Sequence, residues 1–259
     1  MNSLAQPGKW EKYFWPIVTF ALFLSLWHFL VKWTASTVFP SPLDVQRGMA
    51  ELLRKGLLWG YIGDSLRRVG TGFSLATILA IPLGLTLGWY PAAAQVVNPV
   101  IQMLRPISPI AWIPLAIVWF GIGDAAAVYL IFLGAFFPIV VTSMNAVRNV
   151  PSMFGRAGRN FGLTPPQLLA KVVFPAALPQ IIMGLRIALG IAWLVVVAAE
   201  MIAVDSGLGY LVIDARNSGK RYDLVVAAML MIGGIGLTLD LGFRRLEKLK
   251  SVRWGFRET

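Results

Sequence analysis

The sequence predicts an all-α membrane protein: one transmembrane domain, 1–259, of six spans. Three observations predict it. First, 57% of the residues are apolar and only 14% charged, with a mean hydropathy of +0.70, where a soluble domain carries roughly a quarter charged residues. Second, Val69–Tyr90 and Ala125–Val147 run without a single charge, and about 20 mostly apolar residues suffice to cross a bilayer. Third, cysteine is absent and His28 is the one histidine, which removes disulfide scaffolds, thiolate zinc sites, iron–sulfur clusters and histidine-held metals. The net charge of +11 raises nucleic acid as a partner, but that reading needs a basic patch on a soluble domain. No nucleic-acid partner is expected.

The spans follow in order. The first, 13–33, carries one charge, Lys32, at its end. It is longer than a signal-peptide apolar region, and no small-x-small site follows at Lys32–Ser36, so it is not read as a cleavable signal. Pro40-Ser41-Pro42-Leu43 then breaks the helix. Val45–Trp59 places Val45, Met49, Leu52, Leu53 and Leu57 on one face, which suits a helix lying on the outer membrane surface or a solvated connector. The second span is 69–90. The third, 92–123, is interrupted by Arg105 and reads as one long helix with a broken or kinked start. The fourth is 125–147. The fifth, 172–203, is interrupted by Arg186 and carries Glu200 near its outer end; the sixth, 224–243, holds only Asp240.

Six spans put both termini on one side. Twelve Lys and Arg fall on that side, among them Lys9, Lys12, Arg148, Arg156, Arg159, Lys171 and six from Arg244 onward. Nine fall opposite, including Arg67 and Arg68. The positive-inside rule therefore makes the termini and the 148–171 loop cytoplasmic.

That loop carries Arg156-Ala157-Gly158-Arg159, then Gly162-Leu-Thr-Pro-Pro166, then Val172-Val-Phe174-Pro175. Ala157, Gly158 and Gly162 recur on one side of a short helix. A second helix runs into the membrane from Pro166, whose missing N–H costs nothing in a first turn. Small side chains permit a close backbone approach, and Arg156 and Arg159 offer charge-assisted contacts. The stretch is read as a docking element for a cytoplasmic partner or as an ordinary basic loop.

The spacing resembles the EAA motif of ABC importer permeases: Glu-Ala-Ala, three residues, Gly, nine residues, Ile-x-Leu-Pro. Arg156-Ala157-Gly158, Gly162, Val172, Phe174 and Pro175 fill those places, with Arg156 where the family has Glu and Gly158 where it has the second Ala. Asp64-Ser-Leu-Arg-Arg-Val-Gly-Thr-Gly72, Leu104-Arg-Pro-Ile-Ser-Pro-Ile-Ala-Trp112-Ile-Pro114, Trp119-Phe-Gly-Ile-Gly123 and Ala198-Ala-Glu200-Met201 are similar to the nitrate/sulfonate/taurine/bicarbonate branch. The resemblance implies a six-span type I ABC importer permease fold with a cytoplasmic coupling helix, in a bacterial inner membrane. It implies a second permease copy, in a homodimer, a cytoplasmic ABC ATPase dimer and an extracytoplasmic substrate-binding protein as partners. Arg156, Ala157, Gly158, Arg159, Gly162 and Pro175 are the coupling residues it implies. No G-x-x-x-x-G-K-[ST] loop occurs, so no cofactor is expected on this chain, and ATP and magnesium belong to the ATPase.

Charged residues inside spans cost several kcal/mol unless they pair or line a pathway. Arg105, Ser108, Trp112, Arg186 and Glu200 are the pathway candidates. Arg105 is placed near the cytoplasmic face, where snorkelling is the alternative. Arg186 is read as pathway or interhelical bonding, Glu200 as a gate or structural pair. Gly184, Ala188 and Gly190 read as close-packing positions. The competing functions are a secondary carrier or channel acting without an ATPase, and a membrane-embedded enzyme.

Overall fold

A computed structural model describes residues 10–34 and 38–247. Lys9, the end of the Lys32–Ser36 stretch, and Lys248, Lys250, Arg253, Arg257 and Glu258 of the charge count lie outside the described residues. The described residues cluster into two compact units, one of 10–58 with 212–230 and one of 59–211 with 231–247.

In the first unit, α1 (Glu11–Thr34) presents Phe14, Phe20, Phe23, Phe29 and Trp33 outward, as a lipid-facing helix does. Helix α2 (Pro42–Arg54) begins at a capping box. The Asp44 N–H donates to Ser41 Oγ at 3.3 Å, and the Ser41 N–H donates to Asp44 Oδ2 at 3.2 Å. It ends where Gly56 takes φ +69°, a conformation glycine adopts freely. Its apolar face is turned inward through Val45, Gly48 and Leu52. A methyl on Gly48 would stand 3.1 Å from Leu224, so the glycine sets that approach. An apolar groove of about 1140 Å³ runs between α1 and Val226–Leu230, and no charged side chain lines it.

The second unit starts on α3 (Leu57–Trp89), 33 residues in one helix. The helix therefore begins twelve positions before the expected span start at Val69, and Arg67 and Arg68 lie inside it. A helix of 33 residues is about 50 Å long by its rise, longer than the roughly 30 Å of a bilayer core. Helix α4 (Pro91–Leu104) then breaks at 105–108, and one 3-10 turn (Pro109–Trp112) leads into α5 (Ile113–Phe120) at a bend of 84°. The expected kinked start is instead a break in the middle. Pro106, Pro109 and Pro114 withdraw three N–H donors within nine residues, two of them in first turns where none is needed.

Helix α6 (Asp124–Arg148) and the helical run α8 (Pro165–Leu168), π turn Leu169–Val173 and α9 (Phe174–Glu200) form the core. Glycines fix how close the spans come. A methyl on Gly84 would meet Ser143 Cβ at 2.5 Å, one on Gly88 would meet Val147 at 2.6 Å, and one on Gly184 would collide with Thr142. Such small-residue contacts hold helices where lipid leaves no hydrophobic drive between them. Ala188 is also buried, but Gly190 is exposed with nothing within 4 Å, so it packs against no neighbour among the described residues. Helix α10 (Leu208–Asn217) and α11 (Tyr222–Glu247) complete the order. Among the described residues, five helices are long and apolar enough to cross a membrane, and the number rises to six where the bent α4–α5 pair is counted as one span.

Candidate functional site

The connection between α6 and α9 folds as the short helix α7 (Ser152–Asn160). It ends in a full Schellman motif: the Leu163 N–H donates to the Gly158 carbonyl at 3.1 Å and the Gly162 N–H to the Arg159 carbonyl at 2.9 Å. Gly162 takes φ +76° there. Its role is therefore the left-handed turn itself. Gly158 is buried, and a methyl on it would overlap Leu168, so its smallness serves this chain's own α8. The expectation that Gly158 opens the backbone to a partner is corrected on that ground, whereas Gly162 is exposed with nothing within 4 Å.

The face left open carries Arg156, Ala157 and Arg159, all exposed, with Met153 at 61% and Phe161 at 87% exposure. The sequence reading missed Phe161. Its signal was available, since an aromatic at the cap of a basic helix has no core to enter. Beneath α7, Ala146 and Val147 of α6 pack against Val173, Ala177 and Ile181, and Asn149 Nδ2 donates to Gln180 Oε1 at 3.3 Å. Pro175 follows the π turn. A proline ring crowds the preceding turn, and the wider π turn accommodates it.

At the opposite ends of α6 and α9 sits a closed polar cluster. Glu200 is 0% exposed and Arg68 3%. Arg68 Nη1 donates to Glu200 Oε1 at 2.8 Å and Nε to Asp124 Oδ1 at 2.7 Å. It also donates to the Ser206 carbonyl at 2.8 Å and Ser206 Oγ at 2.6 Å. Glu200 Oε2 accepts from Ser65 Oγ at 2.9 Å and from the Gly209 N–H at 2.9 Å. Arg67 also reaches Asp124. A methyl on Gly207, at φ +105°, would overlap the Glu200 carboxylate. Glu200 is fully enclosed by these partners: it is a structural pair, and the expectation that it lines the pathway is corrected. Arg68, Asp124, Ser65 and Ser206 went unrecognised because each looks like a solvated residue beside a span.

Arg186 is likewise occupied. Its Nε and Nη2 hold Asp240 at 2.5 and 3.1 Å and its Nη1 holds Glu247 at 3.3 Å. It is an α9–α11 tie, the interhelical alternative of the two expected. Trp193 Nε1 adds a bond to the Ile232 carbonyl at 3.0 Å.

Between these layers lies a cleft of about 320 Å³ lined by Arg105, Trp112, Phe137, Thr142, Ile187 and Ile191, among others. Gly134 and Thr142 are the eleventh and nineteenth residues of α6, and Ile187 and Ile191 the fourteenth and eighteenth of α9. Arg105 is thus at mid-length of the core helices, about 20 Å by helix rise from either end of α9. The expectation of a place near the cytoplasmic face is corrected. Two of the pathway candidates, Arg105 and Trp112, share this cleft. Ser108 is exposed on the break but does not line it.

Residues 80–252 match the family described as the binding-protein-dependent transport system inner membrane component. The chain is 46% identical over 184 residues to a putative ABC transporter permease of Methanocaldococcus jannaschii, covering 71% of this chain and 68% of that one. It is 33% identical to the taurine transport system permease of Escherichia coli, covering 93% and 91%. With the bicarbonate transport system permease of Synechococcus elongatus it shares 35%, covering 87% and 84%. The inward-facing MetNI methionine ABC transporter superposes with a TM-score of 0.68 at 22% identity, over 75% of this chain and 96% of that one. That likeness establishes the type I importer permease fold.

Proposed function

The chain belongs to the binding-protein-dependent transport system inner membrane component family, a permease subunit of an ABC transporter, and we propose that it forms the import pathway for a small anion of the sulfonate/taurine, nitrate or bicarbonate class. An extracytoplasmic binding protein delivers the anion, a second copy of this chain completes the pathway, and a cytoplasmic ABC ATPase dimer binds ATP and magnesium and drives the cycle. Both termini and α7 then face the cytoplasm of a bacterial cell.

The observation that carries this reading is α7. It sets Arg156, Arg159 and an 87% exposed Phe161 on a capped helix rooted between two spans. An exposed apolar side chain rimmed by cations is the chemistry of a docking surface. After the Gly162 turn that closes α7, the chain is continuously helical over Pro165–Glu200, 36 residues. A displacement by the ATPase is therefore carried along a rigid element into the cleft, which is how a two-state pathway is biased from outside. Arg105 and Trp112 are the pathway residues proposed, with Ser108 at the break. Arg186 and Glu200 hold the helices that surround them.

Reconstitution tests the proposal. Uptake by the permease requires the co-expressed ATPase and stops when ATP is withheld. Uptake that persists without any ATPase overturns it in favour of a carrier.

A further inference from the structure

Arg68, Arg105 and Arg186 all sit among the apolar helices, and their surroundings differ. Arg68 is neutralised by Asp124 and Glu200, and Arg186 by Asp240 and Glu247. Among the described residues, no carboxylate lies within ion-pair distance of Arg105. It is exposed at the α4–α5 break and lines the cleft. A cation is kept without a counter-charge amid apolar helices where an anion or water meets it.

The rest of the cleft is selective in what it lacks. Its walls are Trp112, Phe137, Val141, Ile187 and Ile191. The hydroxyl of Thr142 is committed to the Pro138 carbonyl at 2.8 Å. No carboxylate lines it. One guanidinium fork satisfies two oxygens of an oxyanion. A nitrate or bicarbonate entering such a space gives up most of its hydration and recovers only that fork. An alkanesulfonate sets two sulfonate oxygens on the fork and lays its stem against Trp112 and the isoleucines. Taurine brings an ammonium for which the lining side chains offer no carboxylate. A volume of about 320 Å³ sits at the small end of ligand pockets, roughly 300–1,000 Å³.

We infer that the Arg105 cleft is a transient binding site for an alkanesulfonate with an unsubstituted apolar stem, in which Arg105 holds the sulfonate and Trp112 the stem. This rests on the importer reading and narrows its substrate class to organic sulfonates.

The test uses the permease–ATPase complex in lipid nanodiscs without the binding protein, so that the pathway alone selects. Ethane-, propane- and butanesulfonate are titrated by calorimetry, with taurine, nitrate and bicarbonate as competitors. Affinity is expected to rise about threefold to fourfold per methylene, the value of a buried CH₂, with none of the three competitors displacing butanesulfonate. Trp112→Ala flattens the chain-length series. Arg105→Gln lowers affinity at least about tenfold in the same lipid, while Arg105→Lys keeps part of it as a point charge. Equal displacement by nitrate, bicarbonate or taurine overturns the inference, as does unchanged binding in Arg105→Gln or a flat series in the wild-type complex. ATP-driven uptake of any anion by the full assembly, measured alongside, separates failure of this site from failure of the importer reading. The wild-type series needs no variant to fold.

Discussion

Arg68 and Glu200 are 132 positions apart in the chain, yet they meet at 2.8 Å with side chains 3% and 0% exposed. Each closes the other's charge away from lipid, and Ser65, Asp124, Ser206 and Gly209 take up the remaining donors and acceptors. The pair ties the twelfth residue of α3 to the end of α9 and to the turn before α10. Removing one partner of such a pair leaves a bare buried charge, a loss of about 3–5 kcal/mol. Arg68→Ala and Glu200→Ala are therefore expected to lower the melting temperature in detergent sharply. The double replacement Arg68→Met with Glu200→Leu should cost less than the two single losses combined. Additive losses would show that the two side chains do not act as a pair.

Gly84 and Ser143 offer a test of the helix spacing. Gly84→Ala drives its methyl into Ser143 Cβ, an overpacking cost of about 1–3 kcal/mol. Ser143 Oγ is buried with no hydrogen-bond partner among the described residues, so Ser143→Ala is expected to stabilise by about 1 kcal/mol. Ser143→Gly should recover part of the Gly84→Ala loss. Thermal melts of the purified variants give all three values.

Variants of α7 separate folding from docking. Gly162→Ala strains a left-handed position, costing about 1–2 kcal/mol, and Gly162→Asn is expected to cost less. Phe161→Ala touches almost nothing within the chain at 87% exposure, so its stability should stay within about 0.5 kcal/mol of wild type. Its ATPase co-purification should fall markedly, and further with Arg159→Glu. Wild-type yields of ATPase with Phe161→Ala would remove α7 as the docking surface.

Glu51 and Arg221 predict an acid transition confined to the first unit. Glu51 accepts from Arg221 Nη2 at 2.6 Å and from Lys55 at 2.6 Å. These cations, Arg221 first, lower its pKa from 4.5 to about 2. Arg221 is held correspondingly above its ordinary value by Asp223 and then Glu51. A depressed carboxylate pKa contributes stability above the unfolded value and loses it as pH falls through the folded one. The melting-temperature difference between wild type and Glu51→Gln should thus be constant above about pH 4.5 and vanish toward about pH 2. High salt should shrink it at every pH, because the pair is partly exposed.

Hydropathy and spacing by themselves determined the class and the place of the loop between α6 and α9, because each is a local property of the chain. A charge-free run of 22 residues names its own environment, and the loop between α6 and α9 is legible from fixed offsets between Arg156, Gly162 and Pro175. Only the tertiary structure decided which polar residues meet. Ser65, Arg68, Asp124, Glu200 and Ser206 come from separate stretches of the chain, and hydropathy scores a partnered arginine and a solvated one alike. That is why a charge-free run marks the apolar part of α3 and leaves out the twelve helical residues before it. The same limit hid the direction of Gly158, which faces Leu168 rather than a partner, and the depth of Arg105. Depth inside a membrane protein is set by where a helix breaks and which neighbours close around the break, and that information lies between segments rather than within any one of them.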